Sequence, residues 1–77
     1  MDYKQILTDI ARAIVDSPDE VSVTETVEED EVKLVLTVSP EDTGMVIGRH
    51  GKIARAIRSV MKVAANGSGK HVIVVIE

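Results

Sequence analysis

Two glycines three apart, with Arg49 and His50 between them and Lys52 directly after, form the stretch Gly48-Arg49-His50-Gly51-Lys52. Glycine lets a chain turn sharply and lets its backbone approach another backbone closely. The loop opens into a helix from Lys52, whose free N–H groups and positive dipole end suit phosphate oxygens. Arg49, His50 and Lys52 add donors to the same place. A tight turn between two helices needs the same glycines, so the four residues alone do not separate a binding loop from a structural one.

Charge is segregated along the chain. Residues 1–42 hold twelve acids against Lys4, Arg12 and Lys33, a balance of −9. Residues 43–76 hold six bases (Arg49, Lys52, Arg55, Arg58, Lys62 and Lys70) and no acid, and Glu77 brings the chain to −4. A net negative charge argues against a nucleic-acid partner when read over a whole domain. Salt screens charges beyond roughly 8–10 Å, so the local field decides. Thirty-four residues without an acid point to an anionic partner more than to an ordinary solvated helix face.

Enzyme chemistry finds little support. There is no cysteine, and residues 43–76 offer no carboxylate. Ser59 and Ser68 have no evident base and orienting group. Gly51-Lys52 and Gly69-Lys70 lack the glycine spacing and the following Ser or Thr of a phosphate-binding P-loop. Two histidines do not make a zinc site, and no cofactor is expected.

Seventy-seven residues suffice for one small domain, 1–77, close to the size at which a single core is just adequate. Its 44% hydrophobic content contains no Phe or Trp. The absence of cysteine fits a reducing compartment. No basic, then apolar, leader is visible, and the apolar run from Val72 to Ile76 is too short to span a membrane. The expected location is the cytoplasm, with no membrane partner.

Tyr3, Ile6, Leu7, Ile10 and Ile14 recur at helical spacing and predict an amphipathic helix over 2–16. Ser17-Pro18 ends it, since the residue before proline leaves the helical region. From Val21 the period changes to two, with Val21, Val23 and Val27 on one face. Val32, Leu34, Leu36 and Val38 form a second alternating run, and the acidic stretch 28–31 is the turn between them. Ser39-Pro40-Glu41-Asp42 reads as a helix start with Ser39 as the cap. That helix is short and ends near Ile47. The next runs from Lys52 to about Ala65, with Ile53, Ile57, Val60 and Ala64 expected on its buried stripe and Ala54, Met61 and Ala65 at its margin. A rotation of about 100° per residue is expected to keep the bases off a single face. Residues 66–69 end the helix, and His71–Ile76 is a third strand. The order αββααβ predicts an α+β fold, with three helices on one face of a three-stranded mixed sheet. The first two strands form a hairpin, and the third is parallel to the second through a right-handed crossover.

The motif Val46-Ile47-Gly48-Arg49-His50-Gly51 between consecutive helices, within this order, resembles the KH domain in its type II arrangement. The stretches Ala13–Val21 and Ile53–Arg58 are similar to the small bacterial single-domain KH proteins of the KhpA (YlqC-like) family, and the resemblance covers essentially the whole chain. One departure is visible. The general pattern I-G-x-x-G-x-x-I has Ala54 at its last position here, with Ile53 one place earlier.

This resemblance implies a binder of single-stranded RNA. The loop Gly48–Gly51 would lie along phosphates, with Arg49, His50, Lys52 and Arg55 supplying donors. The bases would meet an aliphatic groove formed by Val46, Ile47 and Ile53, with Lys70 on its far rim. Tyr3 is the only aromatic residue, so stacking platforms are not available. The family also implies a homodimer, a possible heterodimer with KhpB (the Jag or EloR family), and links to post-transcriptional regulation and to cell elongation and shape. Ala54, Met61 and Ala65 are the expected dimer contacts, with Met61 as an adaptable one. A second reading keeps the fold but makes it a protein-interaction adaptor that binds RNA weakly or not at all.

Overall fold

The computed structural model describes residues 2–77, and what it places there begins with a capped helix. The carboxylate of Asp2 accepts the N–H of Gln5 at 3.0 Å, satisfying one donor that the first turn cannot pair internally. Helix α1 then runs Tyr3–Ile14 and buries Leu7 and Ala11. It stops two residues before the expected end. Val15 is extended and buried, turning its side chain into the core ahead of Pro18.

Strands β1 (Ser22–Val27) and β2 (Glu31–Thr37) pair antiparallel, and β3 (His71–Ile76) pairs parallel to β2, which is therefore central. Between β2 and β3 lie a 3-10 turn at Pro40–Asp42, the short helix α2 (Thr43–Ile47) and the long helix α3 (Lys52–Ala64). This is the αββααβ arrangement of the type II KH fold. Val32, Leu34 and Leu36 of β2 are buried under the helices together with Val23 of β1 and Val74 of β3. Val27 shares their alternation yet is exposed.

Both sheet edges are blunted by charge. Glu25 carries a charged side chain on the helix-side row of β1, and Arg58 donates from Nε to the Val74 carbonyl of β3 at 3.3 Å. Such groups oppose pairing with another strand.

The segment entering α2 departs from expectation. Ser39 makes no side-chain cap; Asp42 supplies the fixing contact, its buried carboxylate accepting the Ser17 N–H at 2.9 Å. The sequence pointed to the serine because Pro40 after it suits a first helical position and acids follow. The tertiary fold places residue 17 beside residue 42 and uses the aspartate instead.

Candidate nucleic-acid interface

Helix α2 lasts five residues because Gly48 leaves the helical region, at φ 74° and ψ 174°, while its N–H still bonds to the Gly44 carbonyl at 2.9 Å. That combination of angles is essentially confined to glycine. His50 and Gly51 then adopt left-handed conformations at φ 58° and 73°, and Lys52 resumes the right-handed helix. The glycines act for different reasons. A Cβ on Gly48 would stand 2.9 Å from Ile53 Cβ and 3.0 Å from its nitrogen, whereas a Cβ on Gly51 would meet nothing within 4 Å. The loop is thereby pressed onto the first turn of α3. No side chain caps that helix; the Gly51 N–H bonds to the Gly48 carbonyl and the Lys52 N–H to that of Arg49, and the side chains of Arg49, His50 and Lys52 are exposed there.

Helix α3 has three faces. Its buried face holds Ala54, Ile57, Met61 and Ala65, with Met61 0% exposed. The expected stripe is therefore rotated by about one residue. Ile57 is in the core, but Ile53 is 39% and Val60 50% exposed. Ala54, Met61 and Ala65 belong to the interior of the protomer and cannot form a surface between two copies. Apolar residues occur on two sides of this helix, so periodicity alone could not choose. Small Ala54 and Ala65 allow close packing, and the long unbranched Met61 fills the remaining space.

The basic residues come together more fully than expected. At 100° per residue Lys52, Arg55, Arg58 and Lys62 fall within an arc of roughly 120° on one side of the buried face. All four are exposed. On the other side Ile53, Ala56, Val60 and Val63 occupy an arc of about 80°. Val63 is 73% exposed.

The basic face leads to a cleft of about 510 Å³ between α3 and β3, lined by Glu31, Arg58, Lys62, Lys70 and residues 71–74. Its far end is built by the loop after α3. There the Ser68 hydroxyl donates to the Ala65 carbonyl at 2.7 Å and accepts the Lys70 N–H at 3.1 Å. Lys70 is thus placed with Arg58 and Lys62, away from the glycine loop. Arg58 and Lys62 were not among the expected site residues, although their spacing from Arg55, three and seven residues, marked one helical face. Among the described residues Arg58 is the one of the six bases whose side chain makes a hydrogen bond. Ile47 and Ile53 are part-exposed beside the loop, but Val46 is 0% exposed and cannot line a groove. In so short a helix one side chain must anchor it to the core, and Val46 is that residue.

A family model described as the KH domain of KhpA and KhpB matches residues 4–76. The chain belongs to this family. It is 52% identical over 71 residues to the RNA-binding protein KhpA of Clostridium acetobutylicum, covering 92% of this chain and 95% of that one. The RNA-binding protein KhpA of Clostridium perfringens is 48% identical, with the same coverage of 92% and 95%. That of Aquifex aeolicus is 40% identical over 91% of this chain and 89% of its own. KH membership accounts for a glycine loop held between two consecutive helices. Among the described residues no three His, Asp or Glu side chains are grouped to hold a metal ion, and no helix is long and apolar enough to cross a membrane.

Proposed function

We propose that this protein binds single-stranded RNA as a homodimer and serves as an RNA chaperone or post-transcriptional regulator in the cytoplasm, linked to cell elongation and shape. The observation that carries this reading is the division of α3 into a basic and an apolar exposed face. Phosphates would follow the glycine loop, held by the side chains of Arg49, His50 and Lys52, and then Arg55 on the next turn. Ile47 and Ile53 would form the apolar wall beside them, with Lys70 on the far rim. The names of the three relatives support the same ligand.

One such groove handles about four nucleotides and few phosphates, so a lone copy would bind weakly. Ala56, Val60 and Val63 replace the buried residues as the dimer contact. A two-fold axis across this stripe makes it self-complementary and leaves both basic faces free. Two linked grooves raise apparent affinity through effective concentration. Fluorescence anisotropy with a labelled single-stranded RNA, repeated at rising salt, tests the reading. Binding should weaken with salt as counterions are released. No binding at low salt, or an affinity indifferent to salt, would refute it.

The same exposed apolar stripe also suits an adaptor that docks on a larger KH-containing partner such as KhpB of the Jag or EloR family. Loop variants that lose partner binding, in a protein that never bound RNA, would favour that role.

A further inference from the structure

We infer that Asn66, in the turn after α3, is a self-modification site: it converts spontaneously to aspartate and isoaspartate, and the new carboxylate weakens phosphate binding at the far end of the basic cleft. The covalent step rests on the turn alone, whereas its effect on RNA rests on the reading above. Asn66 is the only asparagine in the chain, and glycine follows it. The step needs the backbone nitrogen of the next residue to reach the side-chain carbonyl carbon. A Cβ on that residue crowds the approach, and Gly67 has none.

Tertiary structure supplies the rest. Asn66 and Gly67 are both exposed. The N–H groups on either side of the reacting nitrogen are held, that of Asn66 by the Val63 carbonyl at 3.1 Å and that of Ser68 by the Ala65 carbonyl at 3.0 Å. Among the described residues neither the Gly67 N–H nor the Asn66 side chain has a hydrogen-bond partner, so neither is tied down against reaction. Gly67 stands at φ 90°, and a Cβ there would meet nothing within 4 Å, which leaves the side chain room to fold back. The only other side-chain amide, that of Gln5, is tied to the Asp9 carboxylate at 2.8 Å and precedes branched Ile6. Asn66 also shares a hollow of about 340 Å³ with Lys62, Lys70 and His71, and no acid lines it. Positive charge there favours the anion that forms as the amide nitrogen attacks.

The Gly67 nitrogen gives up its proton and bonds to Asn66 Cγ. The bond from Cγ to the side-chain nitrogen breaks, and that nitrogen leaves as ammonia, carrying the proton. Water then opens the five-membered ring. Attack at Cγ yields aspartate, and attack at the main-chain carbonyl yields isoaspartate, with no oxidant or reductant required. Either product places the first acid within residues 43–76. It stands among Lys62 and Lys70, which also line the larger cleft beside Arg58. A carboxylate so close to the two lysines competes with phosphate for them. Isoaspartate also lengthens the main chain by one carbon, next to the Ser68 hydroxyl that accepts the Lys70 N–H at 3.1 Å.

The test ages the full chain in warm neutral buffer and follows intact mass and peptide maps, with a synthetic peptide of residues 62–70 as the rate reference. Wild type should gain the mass of one amide-to-acid exchange, mapped to residue 66, with both aspartate and isoaspartate peptides present. Asn66→Gln, whose ring closure needs six members, should keep its mass. Fresh wild type, aged wild type, Asn66→Gln and Asn66→Asp, each checked by its thermal melt, are then titrated with a labelled single-stranded RNA of mixed sequence. Asn66→Asp and the aged protein should bind roughly tenfold more weakly at low salt, with a slope of log affinity against log salt smaller by about one, the loss of one phosphate contact. Asn66→Gln should bind as fresh wild type does. A chain that stays unmodified while the peptide converts completely overturns the inference. So does full conversion with affinity and salt slope unchanged. If fresh wild type binds no RNA at low salt, the RNA-binding reading falls and the effect on RNA with it, while the mass measurement still decides the covalent step.

Discussion

The side chain of Ile53 fills the space that a Cβ on Gly48 would need, so the loop and the first turn of α3 are packed without clearance. Gly48→Ala should therefore cost about 2–3 kcal/mol or more, a fall in Tm of roughly 10 °C or more for a domain of this size. Gly51→Asn, at a left-handed angle with open space around it, should cost under about 1 kcal/mol. Thermal melts of the two variants measure the contrast. Equal losses would show that space at Gly48 is not limiting.

Replacing Arg49 and His50 together by aspartate should abolish RNA binding with little change in stability. Both positions are exposed, and aspartate tolerates the left-handed conformation of His50. Exposed substitutions usually shift stability by about 0.5 kcal/mol. Binding and melting are measured on the same preparation. A variant that unfolds would assign the pair to the turn instead of the ligand.

Two neighbouring substitutions on α3 should behave oppositely. Val60→Asp places a charge on the exposed apolar stripe and should yield a folded monomer with weaker RNA binding. Met61→Asp buries an unpaired charge, costing more than about 4 kcal/mol from a total of about 5–15 kcal/mol, and should leave most of the chain unfolded. Light scattering and circular dichroism distinguish the outcomes. A wild type already monomeric at micromolar concentration would remove the dimer.

Asp42→Ala should cost about 1–3 kcal/mol by leaving the Ser17 N–H unpaired, whereas Asp42→Asn keeps an acceptor and should cost less. Denaturant unfolding reads both. Their equivalence would show that the contact contributes nothing to the junction between α1 and α2.

Local pattern determined much of this protein. Alternation of Val32, Leu34 and Leu36 marked β2, the run 71–76 marked β3, and two intervening helices required a parallel crossover. Gly48 and Gly51 marked the loop: only glycine combines the angles of Gly48 with its proximity to Ile53, and glycine most readily takes the left-handed angle of Gly51. Tertiary packing decided the rest. The sequence of α3 carries apolar residues on two faces, and a helical period states their spacing without saying which face meets the sheet. That choice put Met61 inside, Val60 outside, and Lys52, Arg55, Arg58 and Lys62 on one side. Val46 passed from the expected groove to the core because a five-residue helix needs an anchor. The contacts of Asp42 with Ser17, and of Arg58 with Val74, join residues far apart in the chain. No local spacing encodes such pairs, since they exist only once the sheet register and the helix rotation are set.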